Sequence, residues 1–130
     1  MIKLPPIYTE AYHLAREMLR QTAHIPKIYR PTLGRRMEEA ALDIVVNLRQ
    51  ELLKNGPMDV KGVGLRVDEL KVLIQLSHDM GILRDQAFGE LATATDKIGK
   101  MIGGLERTGK GLKTSSLAPS RAATDTRPPS

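Results

Sequence analysis

Between residues 88 and 105, Phe88, Leu91, Thr95, Ile98, Ile102 and Leu105 recur at spacings of three and four. That is the period of a helix packed along a coiled-coil-like seam, and it cannot be laid on one face of a strand. Three earlier segments share the helical period. Ile7, Ala11, Leu14, Ala15, Met18, Leu19 and Thr22 form one stripe, with Pro5 and Pro6 suited to its start and Pro26 to its end. Leu33, Met37, Ala40, Ala41, Ile44, Val45, Leu48 and Leu52 form a second. Thr32 is placed to cap its start, and "KNGP" (Lys54 to Pro57) to stop it. Val63, Val67, Leu70, Leu73, Ile74, Ser77 and Gly81 form a third, after the Gly-containing connector "PMDVKGVG", with Gly81 read as the left-handed residue that closes the helix.

Short connections make neighbouring helices antiparallel. The predicted fold is therefore all-α: an antiparallel up-down-up-down four-helix bundle over residues 1–108. The last seam runs from about Asp85 to Arg107. From Thr108 the sequence becomes rich in Ser, Thr, Pro and Ala and loses its apolar pattern, so residues 109–130 are expected to be a disordered basic tail.

Charge is distributed unevenly. The chain carries +5 overall. Residues 1–108 hold 16 Lys/Arg and 14 Asp/Glu, whereas the last 22 residues hold Lys110, Lys113, Arg121 and Arg127 against Asp125 alone. This bias favours a polyanionic partner. There are no cysteines, which excludes a disulfide scaffold and a thiolate zinc site. The start "MIKLPPIY" lacks the apolar core of a signal peptide, and no stretch approaches the ~20 apolar residues of a membrane span. No membrane association and a cytoplasmic location are expected.

Gly104, then four residues, then Gly109-Lys110 approximates a phosphate-binding loop. Such a loop needs a strand before it and a helix N-terminus after it. Here a helix seam precedes it, Gly111 replaces the Ser/Thr, and the dipole at a helix C-terminus disfavours anions. Gly99 and Gly103 share one face of the same helix. Each costs about 1 kcal/mol relative to alanine, so close helix packing or an oligomer contact is expected there.

Glu10-x-x-His13 is half of a di-iron bundle motif, but Gln21 and Gln75 precede His24 and His78 where the second acid would stand. His78-Asp79 sits near a helix end, and solvent exposure is expected. No catalytic order, metal cluster or cofactor motif stands out, so no enzyme, metal or cofactor is expected. The strongest local signal is basic: Arg16, Arg20, Lys27, Arg30, Arg35 and Arg36 against Glu17, with Arg84 brought to the same end by the bundle topology. Arg35 and Arg36 fall in a predicted first helical turn, where the dipole prefers acids. The aromatics are Tyr8, Tyr12, Tyr29 and Phe88, too few for extensive base stacking. Nucleic-acid binding through these seven cations should be phosphate-directed and salt-sensitive.

"IPKIYRPTLGRRMEEAALDIVVNL" (Ile25 to Leu48) resembles the "F-P-K-x-x-R-x-x-L-G-x-x" start of the second helix in the four-helix proteins related to Avd, the accessory variability determinant of diversity-generating retroelements. "ELKVLIQLSHDMGILRDQAFGELATATDKIGKMIGGLER" (Glu69 to Arg107) resembles their third and fourth helices, including an "I-G-x-M-x-G-G-W" ending. The likeness covers about residues 7–107. Leu105 stands where the family usually has Trp, and Ile25 where Phe is common. The resemblance implies a barrel-shaped homopentamer that is not catalytic. It would bind the retroelement's reverse transcriptase and its template RNA or cDNA and enable mutagenic cDNA synthesis. The wider superfamily includes the intervening-sequence proteins of large-subunit ribosomal RNA genes. The alternative is a four-helix protein-interaction module of that type, with no nucleic-acid role.

Overall fold

The computed structural model describes residues 5–117, with side chains from residue 5 to residue 107. It is a four-helix bundle: α1 (Pro6–Thr22), α2 (Arg35–Leu53), α3 (Lys61–Asp79) and α4 (Asp85–Leu117). Each helix packs on its chain neighbour, and α1 closes the ring against α4. No strand occurs among the described residues, and no helix among them is long and apolar enough to cross a membrane.

The core follows the apolar stripes, except that Leu19, counted in the first stripe, is 45% exposed at the edge of it. Leu14 and Met18 of α1, Met37, Ile44 and Leu48 of α2, Leu70 and Ile74 of α3, and Leu91 and Ile98 of α4 are fully buried. Burial of such side chains is worth roughly 1.5–3 kcal/mol each. The three buried hydroxyls are all satisfied. Thr22 donates to the Glu38 carboxylate, with the Leu19 carbonyl a second acceptor within reach at 3.3 Å. Ser77 reaches the Met37 sulfur, and Thr95 bonds back to the Leu91 and Ala92 carbonyls one turn earlier.

The corner between α3 and α4 closes as expected. Gly81 has φ +75°. The Ile82 N–H reaches the Ser77 carbonyl at 2.8 Å, and the Gly81 N–H reaches that of His78 at 3.0 Å. These are the paired bonds of a Schellman ending, with Ile82 and Leu83 buried behind it. The "KNGP" stop also holds: α2 ends at Leu53 and Gly56 takes φ +100°. Glu51 pins that connection by accepting the Asp59 N–H at 2.8 Å and the Lys54 ammonium at 2.8 Å. The Lys54 hydrogen bond, then the Asp59 amide, hold its carboxyl below the ordinary carboxylate range.

Four features differ from the sequence expectation. Thr32 does not cap α2. Its hydroxyl donates to the Tyr29 carbonyl, because the chain already winds helically through a short 3-10 turn (Lys27–Tyr29) and a π turn (Arg30–Gly34). α3 starts at Lys61, so Gly62 and Gly64 are helical rather than connecting. A Cβ on Gly64 would lie 3.6 Å from Ile102, in ordinary contact across to α4. His78 is half-buried rather than solvated. It stacks on Phe88 with centroids 4.0 Å apart and bonds Asp85 at 2.8 Å. Finally, α4 continues beyond Arg107 to Leu117, a stretch with no proline to interrupt it. The rest of the expected tail, residues 118–130, lies outside the described residues.

Candidate nucleic-acid interface at the paired corners

The α1–α2 corner (residues 23–34) and the α3–α4 corner (residues 80–84) meet at one end of the bundle. Gln21 at the end of α1, His24 and Ile25 from the first corner and Ile82, Leu83 and Arg84 from the second line a shared cleft of about 110 Å³. Arg84 does stand beside the α1–α2 corner, as the topology requires.

The seven cations that stand out in the sequence have different surroundings. Arg30 is held inside its own corner. Its guanidinium donates to the Ala23 carbonyl at 2.7 Å and the Ile25 carbonyl at 3.2 Å, groups that the end of α1 leaves without helical partners. Arg20 pairs with Glu17 at 3.5 Å and Arg35 with Glu39 at 3.3 Å, one helical turn apart in each case. Arg36 crosses to α3 and bonds Glu69 at 2.9 Å. Arg66, which sequence reasoning does not single out, takes the other oxygen of Glu69 at 2.9 Å and reaches Asp43 at 3.5 Å. Hydrogen bonds from Arg36 and Arg66 hold the Glu69 carboxyl below its ordinary range. Glu69, then Asp43, push the Arg66 guanidinium above its own. Arg16, Lys27 and Arg84 are exposed, and none of their side chains has an ion pair or hydrogen bond to the described residues.

The dipole argument for Arg35 and Arg36 needs correcting. Neither residue sits at a free helix start, because the π turn precedes them and the Arg35 N–H already bonds the Arg30 carbonyl. Each also has an acid partner. The Arg35-to-Glu39 spacing is visible in sequence; the Arg36–Glu69 pair joins residues far apart in the chain.

Gly34 is the tightest point of the corner. A Cβ there would come within 2.9 Å of the Ile25 side chain, itself only 2% exposed, and 3.6 Å of the Tyr29 carbonyl. Arg30 and Gly34, which stand at the R and the last G of "P-K-x-x-R-x-x-L-G", therefore build the corner itself, together with Ile25. Gly99 and Gly103 differ from each other. A Cβ on Gly99 would meet Lys71 at 3.3 Å and Val67 at 3.9 Å on α3. On Gly103 it would meet only Arg107 of the same helix, at 3.6 Å. Neither glycine shows the close backbone approach that the spacing predicts within one chain.

Other motifs are also placed. Glu10 pairs with Lys97 at 3.0 Å, while His13 is exposed. Both border an open groove of about 740 Å³ between α1 and α4. No group of three or more His, Asp or Glu side chains among the described residues is arranged to hold a metal ion. Gly104 to Lys110 lies wholly within helical backbone, which a phosphate-cradling loop would have to leave. Tyr8 and Tyr12 form a tilted pair 6.2 Å apart, with the Arg49 guanidinium 6.0 Å from the Tyr8 ring. Phe88 is taken up by His78, so Tyr12 is the most open aromatic face. No protein-family model and no curated protein matches the chain.

Proposed function

We propose that this chain is a non-catalytic accessory protein of a diversity-generating retroelement. It binds the reverse transcriptase and its template RNA or cDNA as a homo-oligomer, a pentamer by resemblance to the Avd-related proteins. The observation that carries the nucleic-acid part is the set of exposed cations at and near the corner end that have no partner among the described residues: Arg16, Lys27 and Arg84. An exposed cation without an acid partner adds nothing to local packing, yet it is free to neutralise a phosphate. The basic composition of residues 109–130 adds to the same attraction.

Arg30, Arg35 and Arg36 are poor probes of this reading, because reversing them breaks bonds inside the protein. The informative variant is Arg16→Glu/Lys27→Glu/Arg84→Glu, titrated with RNA at several salt concentrations, with circular dichroism to verify folding. Affinity should fall for RNA of unrelated sequences alike. The log–log salt slope should flatten by about 0.7–0.9 for each phosphate that is no longer neutralised. A folded triple variant with wild-type affinity and slope would refute the interface. The protein-interaction reading draws on a different observation, that Arg20, Arg35 and Arg36 are already in ion pairs. It would be favoured if the wild-type chain captured the reverse transcriptase but no RNA.

A further inference from the structure

Six of the ten large apolar side chains that are exposed among the described residues lie on two helices, the others being Tyr12 and Leu19 on α1 and Ile28 and Met80 at the corners. On α2 they are Leu42, Val46 and Leu53, the last 69% exposed. On α3 they are Leu65, Val72 and Leu76, with Leu65 at 64% and Val72 at 66%, and Met80 follows its last residue. None of the large apolar side chains described on α4 is exposed; its outer surface shows Gln86, Glu90, Thr93, Asp96, Lys97 and Lys100. The pattern on α2 is periodic. Leu42, Val46, Arg49 and Leu53 are spaced four, three and four, which makes a second seam on the side of the helix away from the buried stripe. A helix with one apolar stripe needs one packing partner. A second heptad-spaced stripe is the pattern of a helix that packs on another helix outside its own bundle.

The charges beside these stripes identify the occupant. Arg36–Glu69 and Arg66–Asp43 bridge α2 and α3, and Arg35–Glu39 lies along α2. Arg35, Arg36, Arg49 and Arg66 balance Glu39, Asp43, Asp68 and Glu69. The face therefore has no net charge to attract a polyanion or a strongly basic partner. It presents both signs beside apolar side chains, so two copies can match cation to acid across a shared seam. We infer that the outer face of α2 and α3 docks a second copy of this chain, and that the contact between copies lies there rather than at Gly99 and Gly103. This rests on the homo-oligomer part of the proposed function. It also assigns Arg35 and Arg36 to assembly and leaves Arg16, Lys27 and Arg84 for nucleic acid.

The test is the solution mass of the full chain by light scattering at micromolar concentration. The wild type should give a multiple of the 14.4 kDa chain mass. Val46→Glu/Val72→Glu should reduce it to one chain with an unchanged helical circular dichroism spectrum, while Thr93→Glu/Lys100→Glu on α4 should keep the wild-type mass. Should the charged pair unfold the protein, a spin label decides, since the chain has no cysteine of its own. A label on Val72→Cys should be immobilised on assembly and one on Thr93→Cys should stay mobile. A monomeric wild type would overturn both this inference and the oligomer reading. An oligomeric wild type whose mass survives Val46→Glu/Val72→Glu, or whose label is immobilised at 93 and mobile at 72, would overturn this inference and leave the oligomer reading intact. Loss of reverse-transcriptase or RNA binding without loss of mass would assign the face to that partner instead and also overturn it.

Discussion

The two corners at the same end of the bundle are built in opposite ways. The α3–α4 corner takes five residues and is closed by backbone: a left-handed glycine and two amide-to-carbonyl bonds. The α1–α2 corner takes twelve and is closed by side chains. Arg30 reaches back to two carbonyls, Thr22 bonds Glu38, and Ile25 lies against Gly34. A backbone corner depends on one residue type at one position. A side-chain corner depends on several residues acting together, and it ties α1, the turn and α2 into one unit.

The largest expected effect breaks the side-chain corner. Arg30→Ala removes a charged donor from two helix-end carbonyls and should destabilise the chain by about 2 kcal/mol, within the usual range for hydrogen bonds to charged groups. Arg30→Lys should recover less than half of that, since an ammonium lacks the rigid fork that spans both acceptors. Urea unfolding of the three proteins measures both effects. A loss below about 0.5 kcal/mol for the alanine variant would mean that Ile25 packing alone holds the corner.

A smaller effect is expected at the backbone corner. Gly81→Ala places a Cβ on a residue at φ +75° and should cost about 1 kcal/mol. Gly81→Asn should restore most of it, because asparagine tolerates that conformation. If both substitutions cost the same, side chains such as His78 and Phe88 hold this corner as well, and the contrast between the two corners weakens.

The smallest effect concerns the link from α2 to α3 just beyond the side-chain corner. The carboxyl of Glu69 is held below its ordinary value of 4.5 by Arg36 and Arg66. Its contribution to stability is therefore present above the unfolded-state value and is lost as pH falls through the folded one. Between about pH 6 and about pH 3 the urea midpoint of the wild type should fall more than that of Glu69→Gln. Both arginine side chains are well exposed to solvent, so the difference should be modest. Parallel pH curves would show that the pair does not couple to folding.

The same contrast explains what is legible in the sequence. Periodicity locates all four helices, and Gly81 marks its corner, because each signal is local and set by backbone geometry. Thr32 looks like a cap because cap chemistry reads the same in sequence whether or not helical turns already precede it. Arg30 reads as a free cation since nothing local shows that its acceptors are carbonyls five and seven residues earlier. Arg66 does not stand out because its partners Asp43 and Glu69 lie partly on another helix. Of the candidate site, the position of Arg84 beside the first corner is legible from topology. Which cations are already paired depends on packing between helices.

α4 is much longer than the other helices, at 33 residues against 17 to 19. At 1.5 Å per residue it spans about 50 Å. Arg84 precedes its first residue, and the positions of Lys110 and Lys113 fall near its far end. Arg84 and the backbone positions of Lys110 and Lys113 are thus set near opposite ends of one continuous helix, which acts as a ruler. Arg84 and the positions of Lys110 and Lys113 are about 40 Å apart along it, so a duplex that reached from one to the other would have to be about 12 base pairs long at 3.4 Å per step. Shorter nucleic acids could engage one end only.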